Sequence, residues 1–221
     1  MKNLNTAKKS VLGNMIIRQT MGGLRKEDKI RDKDELIERI KEEYDRQDSK
    51  ETHKLNLTML DVSKVEDMNG IFSYYECSSL ESIDVSNWDV SNVKDMNCMF
   101  YECNSLKSID VSNWDVGKVK HMYSIFCYCS SLKSVDVSKW NVSNVESMNC
   151  MFARCSSLKS IDVSNWNVSN VRSMEGMFYK CNSLESIDVS NWNVSNVESM
   201  FSMFCGCKFK YKKECNRLIR I

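Results

Sequence analysis

Cysteines and aspartates at fixed spacing are the residues of this 221-residue chain whose types could do chemistry. Six of the eleven cysteines, Cys77, Cys103, Cys129, Cys155, Cys181 and Cys207, recur every 26 residues. The other five, Cys98, Cys127, Cys150, Cys205 and Cys215, lie off that period. Stacked thiols about 5 Å apart fit the Cα separation of a disulfide, but parallel side-chain vectors suit the bond poorly. There is no C-x-x-C pair, the spacing on which zinc sites usually draw. The simplest reading of the ladder is a column of small buried hydrophobes, with disulfides or a metal as alternatives. The off-period thiols leave open a cysteine-based redox protein, which would need at least one thiol of depressed pKa.

The second set is acidic. The runs Ser82-Ile83-Asp84-Val85-Ser86 and their copies place serine and aspartate opposite the apolar positions. If Ile83 and Val85 point inward, the outward residues are Ser82, Asp84 and Ser86, then Ser108, Asp110 and Ser112, then Ser134, Asp136 and Ser138. Ser160, Asp162 and Ser164, and Ser186, Asp188 and Ser190, complete them. This column is the candidate partner-binding face, suited to a basic or polar protein surface. Like charges directly opposite one another destabilise a sheet. Three things could compensate: bound cations such as calcium, the neighbouring Lys107, Lys133 and Lys159, or hydrogen bonds that turn the carboxylates into the following turns.

Little else resembles a reaction centre. The two histidines, His53 and His121, join no Ser-His-Asp or Cys-His set, and Gly22-Gly23 is no phosphate loop. Asn141-Val142-Ser143 and its copies match a glycosylation pattern but sit at repeat positions near expected helix caps. The expectation is a protein that is not an enzyme and carries no cofactor and no metal.

A repeat must position these residues. Leu80, Leu106, Leu132, Leu158 and Leu184 keep the period of 26, as do Trp88, Trp114, Trp140, Trp166 and Trp192. Phe100, Phe126, Phe152, Phe178 and Phe204 keep it too. A degenerate first unit begins near Leu55, with Leu60 where tryptophan follows later and two extra residues before Cys77. Each unit changes period halfway. Leu80, Ile83 and Val85 read as a short strand. Val93, Met96, Met99, Phe100 and Cys103 project within an arc of about 120° on a helical wheel, which predicts a helix of about three turns. Ser63-x-x-Glu66, Ser143-x-x-Glu146 and Ser195-x-x-Glu198 read as capping boxes for it. The tryptophans share the parity of the core positions, so core is the better reading than a stacking surface for bases or sugars. The fold class is therefore an α/β repeat, a leucine-rich-repeat-like solenoid with one short parallel strand and one short helix per 26-residue rung.

The pattern MFxxCxSLxxIDVSNWxVSNVxxM resembles the repeat of BspA-like leucine-rich-repeat proteins, a large bacterial group with many surface proteins. The resemblance covers residues 55–207. It implies a repeat scaffold associated with adhesion or host contact, and no catalytic residues. The chain departs from the surface-exposed members in lacking a recognisable signal, a lipid-attachment cysteine or a wall-sorting end.

Charge divides the chain. Residues 1–54 carry 14 basic and 11 acidic residues, 55–207 carry 11 and 18, and 208–221 carry 6 and 1. The organisation expected is a basic, mobile arm at 1–31, a capping helix and connection at 32–54, six rungs at 55–207 and a basic cap at 208–221. The helix is expected over 34–47, with Leu36, Ile37, Ile40 and Tyr44 inward and Asp32 as N-cap; Phe209, Leu218 and Ile219 would seal the last rung. The acidic repeats disfavour nucleic acid. No run reaches the roughly 18 apolar residues of a membrane span. Absent a signal, the thiol-rich composition predicts a cytoplasmic protein, with the cell surface or the medium as alternative. A non-catalytic protein-interaction scaffold, monomeric, is the first functional expectation; a surface adhesin is the second.

Overall fold

The structure, a computed structural model, describes residues 29–73, 77–209, 211–214 and 217–220, the last two by backbone alone. Residues 1–28 of the arm expected at 1–31, and the side chains of Leu218 and Ile219, lie outside the described residues.

Helix α1 (Lys33–Arg46) starts where Asp32 caps it, its carboxylate accepting the Glu35 N–H at 3.0 Å. Glu35 does not close a reciprocal box; its carboxylate accepts from the Arg31 N–H and guanidinium instead. Leu36 and Ile40 are buried and Ile37 and Tyr44 half-buried, as the sequence pattern requires. A short helix α2 (Ser49–Thr52) leads into β1 (Lys54–Asn56). Residues 29–31 are not a free arm: Ile30 is buried and its N–H donates to the Asp61 carbonyl at 3.0 Å.

β1, β2 (Ser82–Asp84), β3 (Ser108–Ile109) and β4 (Ser134–Val135) form one parallel sheet in that order, Leu55 facing Ile83 and Ile109 facing Val135. The expectation of a strand in every rung is corrected: the fifth and sixth rungs keep only one bond each here, such as Glu185 N–H to the Lys159 carbonyl at 3.1 Å. The strands are short because a turn begins at once. The Ser112 N–H is taken by the Asp110 carboxylate and is lost to the ladder. β5 (Tyr211–Glu214) and β6 (Arg217–Arg220) form a separate antiparallel pair.

The expected helix in each rung is also absent. Over 93–103 the chain makes consecutive tight turns. The N–H groups of Met96, Cys98, Phe100 and Glu102 donate to the carbonyls of His121, Tyr123, Ile125 and Cys127 in the next rung, at 2.7–3.0 Å. The N–H groups of Met99, Tyr101 and Cys103 close turns onto the residues three before them. Cys98 and Glu102 take left-handed backbone angles, φ 54° and 62°, as do their counterparts Ser124 and Tyr128. A chain folded this way keeps apolar residues three and four apart on one side, as a helix does, but directs its backbone bonds between rungs. The expected caps are corrected likewise: Glu66, Glu146 and Glu198 meet Lys94, Lys120 and Arg172 of adjacent rungs at 2.6, 3.9 and 3.4 Å. The α/β character rests on α1, α2 and the parallel sheet.

Between the sheet and the turn ladder runs one continuous core. Phe72, Phe100, Phe126, Phe152, Phe178 and Phe204 stack with centroids 5.0–5.6 Å apart. All five tryptophans are buried, confirming their core assignment. The N-terminal edge of the sheet is closed by Gln47, whose side-chain oxygen accepts the Asn56 N–H at 2.8 Å while its amide donates to the Asn56 carbonyl at 2.7 Å. That occupies the unpaired edge which would otherwise template another strand. Glu43 holds the same amide at 2.8 Å.

Candidate functional site

Ser108, Asp110, Ser134, Asp136, Ser160, Asp162, Ser186 and Asp188 are exposed on the outer face of the sheet, with Ser82 and Asp84 half-exposed beside them. Each aspartate is followed by its own turn. Asp110 Oδ1 accepts the Ser112 N–H at 3.1 Å and the Ser112 hydroxyl at 2.7 Å. Ser86, Ser138, Ser164 and Ser190 bond Asp84, Asp136, Asp162 and Asp188 in the same way. Of the three compensations open to the column, hydrogen bonding into the turn is the one found in every rung. The hydroxyl and N–H of Ser112 hold the Asp110 carboxyl below its ordinary range, and Ser138 does so for Asp136. The lysines serve less: Lys107 turns to Glu81 at 2.6 Å. At Asp110, Asp136 and Asp162 the turn occupies one carboxylate oxygen and no ion pair takes the other among the described residues. The face is thus a row of fixed, outward carboxylates at the strand spacing of about 4.8 Å.

The thiol ladder is structural. The ten cysteines of the described residues are unpaired. Cys129, Cys155, Cys181 and Cys207 donate from Sγ to the carbonyls of Phe100, Phe126, Phe152 and Phe178 in the preceding rung, at 3.1–3.3 Å. Burial pushes the Cys129, Cys155 and Cys181 thiols up, that of Cys207 to about 12 and off-ladder Cys127 to about 11. Cys98 and Cys150 are raised too, first by burial and then by Asp95 and Glu175. Cys205 is exposed. His121 is exposed, in a ladder of single bridges between Asp95 and Ser147.

Two features were not anticipated from sequence. The first is a set of side chains that reach back one rung. Trp140, Trp166 and Trp192 donate from Nε1 to the carbonyls of Val111, Val137 and Val163 at 3.0 Å. Asn144, Asn170 and Asn196 donate from Nδ2 to those of Gly117, Ser143 and Ser169 at 2.7 Å. The recurrence of asparagine four residues after each of these tryptophans was the available signal. The second is a string of aromatic and basic residues along the turn edge. Tyr101 meets Tyr128 edge-on, and the Arg154 guanidinium lies 4.9 and 5.7 Å from the centroids of Tyr128 and Tyr179.

No helix among the described residues is long and apolar enough to cross a membrane. A family model described as Mycoplasma protein of unknown function, DUF285, matches residues 41–159 and, in a second placement, 105–216. Among solved structures, similarity extends to a leucine-rich repeat protein from Eubacterium ventriosum, 16% identical, covering 62% of this chain and 37% of that one with a TM-score of 0.39. It extends also to the TLR13–ssRNA13 complex, 14% identical, covering 80% of this chain and 26% of that one with a TM-score of 0.38. The chain thus spans about a third and a quarter of those two proteins. No curated protein matches it.

Proposed function

The chain belongs to the DUF285 family of Mycoplasma proteins of unknown function, and from that premise we propose that it is a non-catalytic protein-interaction scaffold built as a leucine-rich-repeat-like solenoid. Its sheet face, carrying Asp84, Asp110, Asp136, Asp162 and Asp188 among their serines, meets a basic or polar surface of a protein partner. The observation that carries this reading is the fixed orientation of the carboxylates. Each is held by its own Ser turn, so a partner would pay no ordering entropy to find five acids in line.

The upward shift of the buried Cys127 and Cys129 thiols supports a non-redox role for them, since thiolate is the reactive form. The likeness of the repeat to BspA-like proteins favours, as a second reading, a surface or secreted protein contacting host or other cells. Fractionation of source cells separates the two locations: protein found only in the cytosol removes the second.

The charge of the face can be removed without disturbing its turns. Asn141 Oδ1 already accepts the Ser143 N–H at 3.2 Å as the aspartates do, so Asp110→Asn, Asp136→Asn and Asp162→Asn together should preserve the fold. The experiment is capture from source-cell lysate and culture medium by wild type and by this triple variant. A protein retained by the wild type and lost by the variant supports the reading; equal capture by both rejects this face.

A further inference from the structure

The two ends of the stack are made differently. At the first rung the tryptophan that reaches backward is missing: Leu60 stands in its place, and Lys64 where four of the five later rungs have asparagine and the third has Lys118. Helix α1 and Gln47 cover that end instead. The sixth rung keeps the reach-back residues Trp192, Asn196 and Cys207, and its phenylalanine column ends on Phe209, partly buried and edge-on to Phe204 at 5.3 Å, as the sequence led one to expect.

Away from Phe209 the outer side of this rung is less complete than that of the fifth. Val163, Val168 and Met174 of the fifth rung are at most 1% exposed, whereas Val189, Val194 and Met200 of the sixth are only partly buried. Beside them Phe201 is 71% exposed. In the fifth rung the N–H groups of Met174, Gly176 and Lys180 donate to the Ser199, Phe201 and Cys205 carbonyls at 2.7–2.9 Å. The corresponding N–H groups of Met200, Ser202 and Gly206 find no carbonyl among the described residues. The Val163 and Ser169 carbonyls receive Trp192 and Asn196, while those of Val189 and Ser195 receive no such side chain. Glu185 is exposed at the position where Glu81 of an earlier rung meets Lys107 at 2.6 Å.

We propose that this open side of the sixth rung is a docking site for a segment of a partner polypeptide carrying the same W-x-V-S-N repeat, which adds as a further rung. The argument is continuity with an interface that the chain already builds between each pair of its rungs. The Val189 carbonyl, which already accepts the Trp192 N–H at 3.1 Å as Val111 accepts that of Trp114, and the Ser195 carbonyl are placed for a tryptophan and an asparagine four residues apart, the donors for a row of carbonyls, and Glu185 for a lysine seven residues before the tryptophan. A second copy of this chain does not fit, because its leading rung offers Leu60 in place of the tryptophan and is covered by α1.

The probe is a labelled peptide copying residues 130–155, which contains Lys133, Trp140 and Asn144 at the required spacing. Fluorescence anisotropy with the full chain under reducing conditions should give saturable binding. Replacing the peptide tryptophan by phenylalanine should weaken binding about tenfold or more, the equivalent of about 1.4 kcal/mol. Val194→Asp in the chain should abolish it, with circular dichroism reporting retained fold. The triple Asp→Asn variant of the sheet face should bind the peptide as the wild type does, which keeps this site separate from that face. No saturable binding up to about 100 μM, a weak affinity for any specific peptide, overturns the proposal. So does affinity indifferent to the tryptophan, and so does concentration-dependent self-association blocked by Val194→Asp, which would make the occupant a second copy.

Discussion

Replacing Trp140 by phenylalanine isolates what a reach-back side chain contributes. The indole is buried, stacks on Trp114 at 6.4 Å, and donates to the Val111 carbonyl at 3.0 Å. That carbonyl also accepts the Trp114 N–H at 3.2 Å, so losing the indole does not strand it. The hydrogen bond should therefore cost about 1 kcal/mol, near the net value for an ordinary intramolecular bond. Phenylalanine also leaves a void of roughly 40 Å³, costing about 1 kcal/mol at the measured cavity slope, with a further contribution from lost apolar transfer. The sum is about 2–3 kcal/mol, or roughly 5–10 °C in Tm for a domain of this size. Trp192→Phe breaks an equivalent 3.0 Å bond to Val163, but its outer ring face has no further rung upon it; about 1–2 kcal/mol is expected there. Urea unfolding followed by far-ultraviolet circular dichroism avoids the altered tryptophan signal, and an unchanged slope would show that the native state is what moved. A cost below about 0.5 kcal/mol for Trp140→Phe, or a larger cost for Trp192→Phe, would refute the claim that these indoles tie each rung to the one before.

Three further outcomes follow from the backbone, the closed end and the thiols. Gly176 has φ 58°, so Gly176→Ala should destabilise by about 1 kcal/mol, while Ser202→Gly at φ 56° should stabilise by a few tenths; thermal melts of the pair should move in opposite directions. Gln47→Ala removes both bonds to Asn56 and should cost about 1–3 kcal/mol by urea titration, with faster aggregation as the β1 edge opens. The fold raises the Cys127 and Cys207 thiols to about 11 and about 12, which favours their neutral forms. Their contribution is therefore complete below the unfolded thiol pKa of about 8.5 and is lost as pH rises through the folded values. Urea midpoints should fall across that alkaline window, less steeply in a Cys127→Ala, Cys207→Ala variant, and an identical slope would contradict the assignment.

The inward set was legible because it repeats. Leu80, Ile83, Val85, Trp88 and Val90 are buried as their parity requires, and α1 lies within a residue of its expected span. The rung helix was misread because spacings of three and four are shared by a helix and by a series of tight turns. What separates them is backbone chirality, and the chain indicates it only faintly. Gly70, Gly176 and Gly206 occupy left-handed positions whose counterparts are Cys98, Glu102, Ser124, Tyr128, Cys150 and others. Two left-handed residues per rung are incompatible with a helix, but only the glycines announce them. Three glutamates three residues after serines then supplied false capping boxes, while their partners were lysines and an arginine one rung away.

Alternation put the acidic residues on the exposed side, and turn bonding was among the three compensations the sequence offered; spacing along the strand could not choose between them, since the Asp–Ser bond is a property of the turn. The open end was hidden for a different reason. Alternation says which side chains point in; it is silent about which way the backbone points along the stack. Met96, Cys98, Phe100 and Glu102 send their N–H groups onward, whereas the alternate carbonyls of Asp95, Asn97 and Met99 accept from the rung before. Every rung is thus a donor on one side and an acceptor on the other over this stretch, and Trp, Asn and Cys side chains all reach toward the earlier rung. Such a stack has a direction. Its first rung can dispense with the reaching tryptophan, as Leu60 in its place shows, but its last rung necessarily presents donors with nothing beyond them unless some other element supplies carbonyls. Composition at the start records an end; composition at Trp192 and Asn196 records a middle.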